Sequence, residues 1–276
     1  MMMLAAKGIV KRKQTDAPKV RHSAFLPDEN HHTYIGYNRK AIFMKALIII
    51  PAHNEEKTIE NVIEKAKKYG DVLIVNDASI DNTEKIAKEC KAIVIAHKEN
   101  KGLGASLRDG FDYAIEKNYD VAVTIDADGQ HDPEEIKKFL KKIGEGYDFV
   151  LGRRIKTKYP FFKRFGGFFL NCATNFISGT NLNDTESGFR AIKVEKLKNF
   201  YLKSDRYQIA VEIVFEAGRN KLKTANVFVH SPLYVKGVGV MDGVKNFLFL
   251  MHRRERNWFD YIEDFKYVFE KWLAKL

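Results

Sequence analysis

Val121-Ala122-Val123-Thr124-Ile125-Asp126-Ala127-Asp128-Gly129-Gln130-His131-Asp132-Pro133 decides how this chain is read. An apolar run ends in two aspartates one residue apart, followed by a glycine, an amide and the start of a helix. A buried strand that opens onto Asp-x-Asp sets both carboxylates at the carboxyl edge of a sheet, where open α/β folds bind ligands. Two carboxylates at that spacing repel unless a cation lies between them. Hard oxygen donors suit Mg²⁺ or Mn²⁺, which often also hold substrate phosphates. The plainer reading is a polar turn that caps the next helix. Asp132-Pro133 supplies that cap and first turn, which leaves Asp126 and Asp128 unaccounted for.

The flanking sequence repeats the pattern. Ala46 to Ile50 is a short, wholly apolar, β-branched run of the kind covered on both faces. It ends in Pro51-Ala52-His53-Asn54-Glu55-Glu56 and leads into a helix reaching about Tyr69, closed by Gly70. Asp71 to Val75 reads as the next strand, followed by Asn76-Asp77-Ala78-Ser79-Ile80-Asp81-Asn82-Thr83-Glu84, in which Asp81 and Glu84 have capping-box spacing. A helix to Cys90, a strand over Ala92 to Ala96 and the loop Glu99-Asn100-Lys101-Gly102-Leu103-Gly104 follow, then a helix to Lys117. Strand and helix in alternation predict an α/β fold, a mostly parallel sheet with helices on both faces. The loops after the strands then share one edge, which gathers Glu55, Asp77, Gly102, Asp126 and Asp128.

Pro-Ala-His-Asn-Glu-Glu, Asn-Asp-Ala-Ser-Ile-Asp-Asn-Thr, Asn-Lys-Gly-Leu-Gly and Asp-Ala-Asp-Gly-Gln-His, in this order, resemble family 2 glycosyltransferases, most of all the dolichyl- and polyprenyl-phosphate sugar synthases. Asp184-Thr185-Glu186-Ser187-Gly188-Phe189-Arg190 resembles the Asp-x-x-Ser-Gly-Phe-Arg segment of the same group. The likeness runs from about Leu47 to Tyr234. In two places the chain departs from the pattern: His53 stands where the family usually has Tyr, and Asn76 where it usually has a first Asp.

The resemblance implies the GT-A nucleotide-diphospho-sugar transferase fold and a metal-dependent, inverting transfer. The donor is a GDP-sugar such as GDP-mannose, or a UDP-sugar. The acceptor is a polyprenyl or dolichyl phosphate, with a sugar hydroxyl of a soluble or glycan acceptor as the alternative. It implies a nucleotide pocket of Pro51, His53, Glu55, Asn76, Asp77, Lys101, Gly102, Asp126 and Ala127. Asp126, Asp128 and Gln130 would hold Mg²⁺ or Mn²⁺, and Arg154, Arg164, Asp184, Glu186 and Arg190 would face the acceptor. Asp128 and Arg154 are the residues expected to carry catalysis. Gly102-x-Gly104 has a second reading as a helix-entry turn, because it lacks the third glycine of a dinucleotide fingerprint and does not follow the first strand.

The second half reads as the acceptor side. Phe149 to Leu151 is a strand that runs into Gly152-Arg153-Arg154. The basic, aromatic stretch from Lys156 to Leu170 is either a groove or lid for an anionic lipid or an ordinary helix with its aromatics inside. Beyond it, Val244, Phe247, Leu248 and Met251, then Trp258, Tyr261, Phe265, Val268, Phe269, Trp272 and Leu273, recur at helical spacing. These amphipathic helices would lie on an anionic membrane surface or pack on the domain or a second subunit.

Composition frames these readings. The chain has 276 residues and a net charge of +11. Residues 1–45 carry nine Lys/Arg against three Asp/Glu and show little periodicity. The expected organisation is a basic, flexible arm over 1–44, a catalytic domain over 45–235, and C-terminal amphipathic helices over 236–276. Two cysteines, Cys90 and Cys172, give neither a disulfide framework nor metal spacing. The expected location is therefore cytoplasmic, including peripheral contact with the cytoplasmic face of a membrane. Two other classes compete. Asp-x-Asp-Gly also opens haloacid-dehalogenase-like phosphatases, although there it sits on the first strand and continues with Thr or Val. Net charge alone suggests a nucleic-acid binder, but no recognised binding motif accompanies it, and no nucleic acid is expected as a partner.

Overall fold

The computed structural model describes residues 33–37, 40–154 and 161–230. Two strands, β1 (Thr33–Tyr37) and β2 (Lys40–Met44), pair antiparallel, with Thr33 opposite Met44 and Tyr37 opposite Lys40. The sequence reading places this stretch in a flexible arm, and the hairpin corrects it. Its β-branched and aromatic residues are too few, in too basic a setting, to stand out as a period. The remaining arm, residues 1–32, and the amphipathic helices expected over 236–276 lie outside the described residues.

Among the described residues the main sheet has seven strands. They are β3 (Ala46–Ala52), β4 (Asp71–Asn76), β5 (Ile93–Ala96), β6 (Val121–Thr124), β7 (Phe149–Arg154), β8 (Arg190–Lys193) and β9 (Thr224–Val229). Their order across the sheet is β5-β4-β3-β6-β8-β7-β9. Only β8 runs against the rest: it is antiparallel to both β6 and β7, while β7 and β9 are parallel. The helices between strands are α1 (Ile59–Ala66), α2 (Thr83–Glu89), α3 (Leu103–Glu116), α4 (Ile136–Gly144), α5 (Phe161–Ser178), α6 (Val194–Leu197) and α7 (Ile209–Arg219).

Alternation along the strands builds two apolar layers. Ile48, Ile50, Val72, Ile74, Val121 and Val123 face α1 and α4 through Val62, Ile63, Phe139 and Leu140. Leu47, Ile49, Leu73, Val75, Ala122 and Leu151 face α3 and α7 through Leu107, Phe111, Ile213 and Val214. Most of these side chains are wholly buried, each contributing about 1.5–3 kcal/mol of transfer free energy. The expected mostly parallel sheet with helices on both faces is what the chain adopts.

Two local readings change and a third holds. The helix after β3 stops at Ala66 and gives way to a tighter 3-10 turn over Lys67–Tyr69. The Asp81–Glu84 capping box does not form: Asp81 accepts from the Thr83 N–H and hydroxyl, and Glu84 accepts from Asn76 and Lys88. The Asp132-Pro133 cap does form, with the Asp132 side chain accepting from the Glu134 N–H at 3.2 Å.

Successive strands leave β3 on one side toward β4 and β5, and the chain then returns to β6 on the other side. That reversal opens a crevice beyond the carboxyl ends of β3 and β6, the place where such sheets bind ligands.

Candidate active site

Loops after β3 and β4 form one wall. Pro51 lies within β3 opposite Val75, and Ala52 opposite Asn76. His53 is exposed, and its Nδ1 sits 2.6 Å from the Asp77 carbonyl oxygen, so that nitrogen donates. Asn76 is buried; its amide donates to Glu84 at 3.0 Å and accepts from the Ser79 N–H at 3.2 Å. Glu55 is half-buried beside Thr58 and Thr83. Asn54, Ala78 and Asp184 in these loops hold left-handed backbone at φ 58°, 55° and 63°.

Asp77 is the centre of the wall. Its Oδ1 accepts from the Lys101 N–H at 2.8 Å and from His97 Nδ1 at 2.7 Å, and its Oδ2 accepts from the Gly102 N–H at 2.8 Å. Burial raises the carboxyl pKa, but the His97 and backbone hydrogen bonds outweigh it and hold the group below the usual range. Neither His97 nor its second partner Asp109 stands out in the sequence. The available signal was position: His97 follows β5 directly, as Asp77 follows β4.

The glycines of the next loop serve packing. A Cβ on Gly104 would collide with the Ser204 carbonyl oxygen, and one on Gly102, at φ 97°, with that of Asp205. The Gly104 N–H donates to the Asp205 carbonyl at 2.7 Å, and Arg108 donates to the Ser204 carbonyl at 2.5 Å. The loop before α7 thus closes the amino end of α3. The helix-entry reading of Gly102-x-Gly104 describes this geometry, and the exposed side chain of Lys101 is the part left to meet a ligand.

Asp126 and Asp128 leave β6 into the crevice. Asp128 is partly buried; burial, then Asp126, push its pKa up against the Gln130 hydrogen bonds. Gln130 donates to it twice, from its backbone N–H at 2.9 Å and from its amide at 2.6 Å. Ala127 packs into the core, 3 % exposed. His131 is buried among the charges of Asp126, Asp128, Arg154 and Asp184, and its Nδ1 has no partner. Two carboxylates that repel across a partly dry site, next to an unpartnered buried nitrogen, fit a hard divalent cation. Among the described residues no three acidic, His or Cys side chains form a complete cage. A shell shared with substrate phosphates is the arrangement typical of Mg²⁺.

The segment before β8 enters from the other side. A Cβ on Gly188 would stand 2.5 and 2.6 Å from the two carboxylate oxygens of Asp126. Its backbone is outside the left-handed region, so alanine would act by collision alone. Gly188→Ala is expected to cost about 100-fold in kcat/KM, as for a catalytic group displaced by ~1 Å. Steady-state kinetics with a parallel melting curve check this, and unchanged kcat/KM would show that the carboxylate has room to move.

Arg154 and Asp184 form a two-point fork. Arg154 Nε and Nη2 donate to the carboxylate at 2.6 and 2.7 Å, and the Arg154 backbone N–H adds a third bond at 3.1 Å. Asp184 is thereby the partner of Arg154. Arg190, expected to face the acceptor, is a buried side chain. It is 1 % exposed, donating to the Ser187 carbonyl at 2.7 Å and the Thr185 carbonyl at 3.4 Å. Burial pushes it down to about 10 against the pull of Asp126 and Asp184. It stays charged, as an internal cation beneath the carboxylates. Glu186 is half-buried in the same loop. The side chain of Arg164 lies outside the described residues.

Residues 47–200 match the sequence profile of Glycosyl transferase family 2, and the chain belongs to that family. It is a glycosyltransferase. Among curated relatives, it is 35% identical over 236 residues to UDP-N-acetylglucosamine--dolichyl-phosphate N-acetylglucosaminyltransferase of Methanococcus voltae, covering 74% of this chain and 94% of that one. It is 28% identical to polyprenol monophosphomannose synthase of Mycolicibacterium smegmatis, covering 72% and 82%. Glucosyl-3-phosphoglycerate synthase from Mycobacterium tuberculosis, solved with Mn²⁺, UDP-glucose and phosphoglyceric acid, superposes with a TM-score of 0.60 at 18% identity, over 75% of this chain and 79% of that one. That likeness identifies the GT-A type of fold. The phosphatase alternative falls with this result, since the Asp-x-Asp strand is the fourth of the parallel set and not its first.

Proposed function

We propose that this glycosyltransferase moves a sugar, with inversion, from a uridine diphosphate sugar to the phosphate of a polyprenyl or dolichyl lipid, using Mg²⁺ or Mn²⁺. One observation carries the reading: the Asp126–Asp128 pair and the Arg154–Asp184 fork belong to one edge, next to the Asp77 wall. Asp126 and Asp128 would hold the cation. When bound, it neutralises charge on the departing diphosphate. Asp77 and Glu55 would bind the nucleoside, and Lys101 would meet the phosphates.

A phosphate acceptor is already anionic near neutral pH, so the attacking oxygen needs no base. Arg154, held flat by Asp184, would orient it, and positioning supplies the catalysis. A sugar-hydroxyl acceptor would require a base, for which Asp184 and Glu186 are the candidates, and the fork with Arg154 engages Asp184. The relatives named for dolichyl and polyprenyl phosphate chemistry support the lipid acceptor. Such an acceptor puts the enzyme at a membrane surface, and among the described residues no helix is long and apolar enough to cross one.

Hydrogen-bond arithmetic favours uridine. An ionised carboxylate has about four acceptor positions, and three on Asp77 are filled from within the protein. One remains, on Oδ2. Uracil offers a single ring N–H, whereas guanine presents an N–H and an amino group side by side and is best met by two acceptors. The test is binding of UDP- and GDP-sugars with and without Mn²⁺, followed by transfer to a short polyprenyl phosphate. UDP-sugars are expected to bind at least about ten-fold more tightly, a difference near 1.4 kcal/mol. Tighter GDP-sugar binding would overturn the base assignment, and transfer only to soluble sugar hydroxyls would overturn the acceptor.

A further inference from the structure

We infer that His97 is a positioning residue for the donor: it sets the Asp77 carboxylate and, through it, the Lys101–Gly102 turn. The inference rests on the proposed nucleotide role of the Asp77 loop. His97 lies one residue beyond β5, and its backbone N–H donates to the Asn76 carbonyl at 2.9 Å. Its ring bridges two carboxylates, with Nδ1 2.7 Å from Asp77 Oδ1 and Nε2 2.8 Å from Asp109 Oδ2 on α3. The imidazole is 3 % exposed and the Asp77 side chain 6 %.

Three separate parts of the chain meet at this ring: the end of β4, the loop after β5, and α3. An ionised carboxylate can only accept, so a ring nitrogen that faces one acts as the donor, and the ring supplies Asp77 with a partner inside the protein. Asp77 can then give two further acceptor positions to the N–H groups that open the Lys101–Gly102 turn, which leaves one on Oδ2. A flexible cation in place of the ring would not fix the carboxylate's rotation, because imidazole offers two donors in one rigid plane. The hydrogen bonds of the His97 ring go to two carboxylates, one of them on the donor wall. Its loss should therefore appear in donor affinity before it appears in the fold.

The test uses the full chain, with UDP as the probe in titration calorimetry with Mn²⁺ and with kcat and KM for a UDP-sugar. His97→Ala is expected to raise the UDP Kd and the donor KM about ten-fold, with kcat changed less than about three-fold. His97→Gln, whose amide can still donate to one carboxylate, should recover part of that loss. The double variant His97→Ala/Asp77→Asn should bind UDP no more weakly than Asp77→Asn alone, because both act through one carboxylate. Should His97→Ala fail to fold, His97→Gln and Asp109→Asn carry the same comparison, each with a smaller rise in Kd.

Unchanged UDP affinity in a folded His97 variant would overturn the inference, as would strictly additive losses in the double variant. So would a fall in kcat with KM held constant. Asp77→Asn alone separates the two levels. If it leaves UDP binding intact, the nucleotide reading of this wall has failed. If it weakens UDP while the His97 variants do not, only the role of His97 has failed.

Discussion

Asp128→Ala is expected to reduce transfer by about 10²–10³-fold or more, the scale of losing a preorganised electrostatic contact, without lowering the melting temperature. The two halves of that result have one cause. Burial and the neighbouring Asp126 raise the Asp128 pKa, so the folded state disfavours its ionised form. The sign follows from linkage. A carboxyl whose folded pKa lies above its unfolded value penalises stability at neutral pH, and the penalty fades as pH falls through the folded pKa. Alanine removes the penalty, so the variant should melt no lower than the parent at pH 7–8. Any advantage should vanish in acid. A residue kept against this repulsion is serving a ligand rather than the fold. The parent should gain stability from Mn²⁺ with UDP, and the variant should not. Full activity, or an equal Mn²⁺-dependent shift in melting, would sink the metal assignment.

Arg154→Lys should lose about 10–100-fold in transfer to polyprenyl phosphate while its donor KM stays within about two-fold. A lysine keeps the charge but cannot copy two parallel hydrogen bonds. It leaves Asp184 compensated, so the protein should fold. Arg154→Ala is a different experiment. Asp184 has a 3 % exposed side chain, and stripping its partner should cost about 3–5 kcal/mol of stability. Comparing the two variants separates acceptor recognition from the integrity of the loop before β8. Weakened nucleotide-sugar binding in Arg154→Lys would move this guanidinium to the donor phosphates.

Much of this architecture was legible in the chain because it is written in local patterns. The run Leu47 to Ile50 reads as a strand covered on both faces, and it divides its side chains between two layers. Asp126 and Asp128 announce themselves because two carboxylates after an apolar run have no structural excuse. What stayed hidden depends on pairs distant in sequence. Asp184 lies thirty residues from Arg154, and nothing local marks them as a fork. Gly188 stands in the Asp184 to Arg190 segment with no local sign that Asp126 lies against it. Arg190 misleads by type, since arginine is almost never buried unless paired. Here its partners are backbone carbonyls and more distant carboxylates. The Asp81–Glu84 spacing misleads in the opposite direction: the pattern is present, but Glu84 is drawn to Asn76 and Lys88.

The single reversed strand has a consequence for how such an enzyme can change. Because β8 runs backwards, the residues that precede it reach the same edge as residues that follow β3, β4 and β6. Donor-side groups therefore hang from strand ends, whereas Asp184 to Phe189 hang from a strand beginning. The two sets meet where β8 pairs with β6, with Thr124 opposite Arg190. The interval between β7 and β8 takes no part in the strand pairing that aligns β3 with β6. A new acceptor could be acquired by rewriting that interval alone, with the sugar-nucleotide half inherited intact.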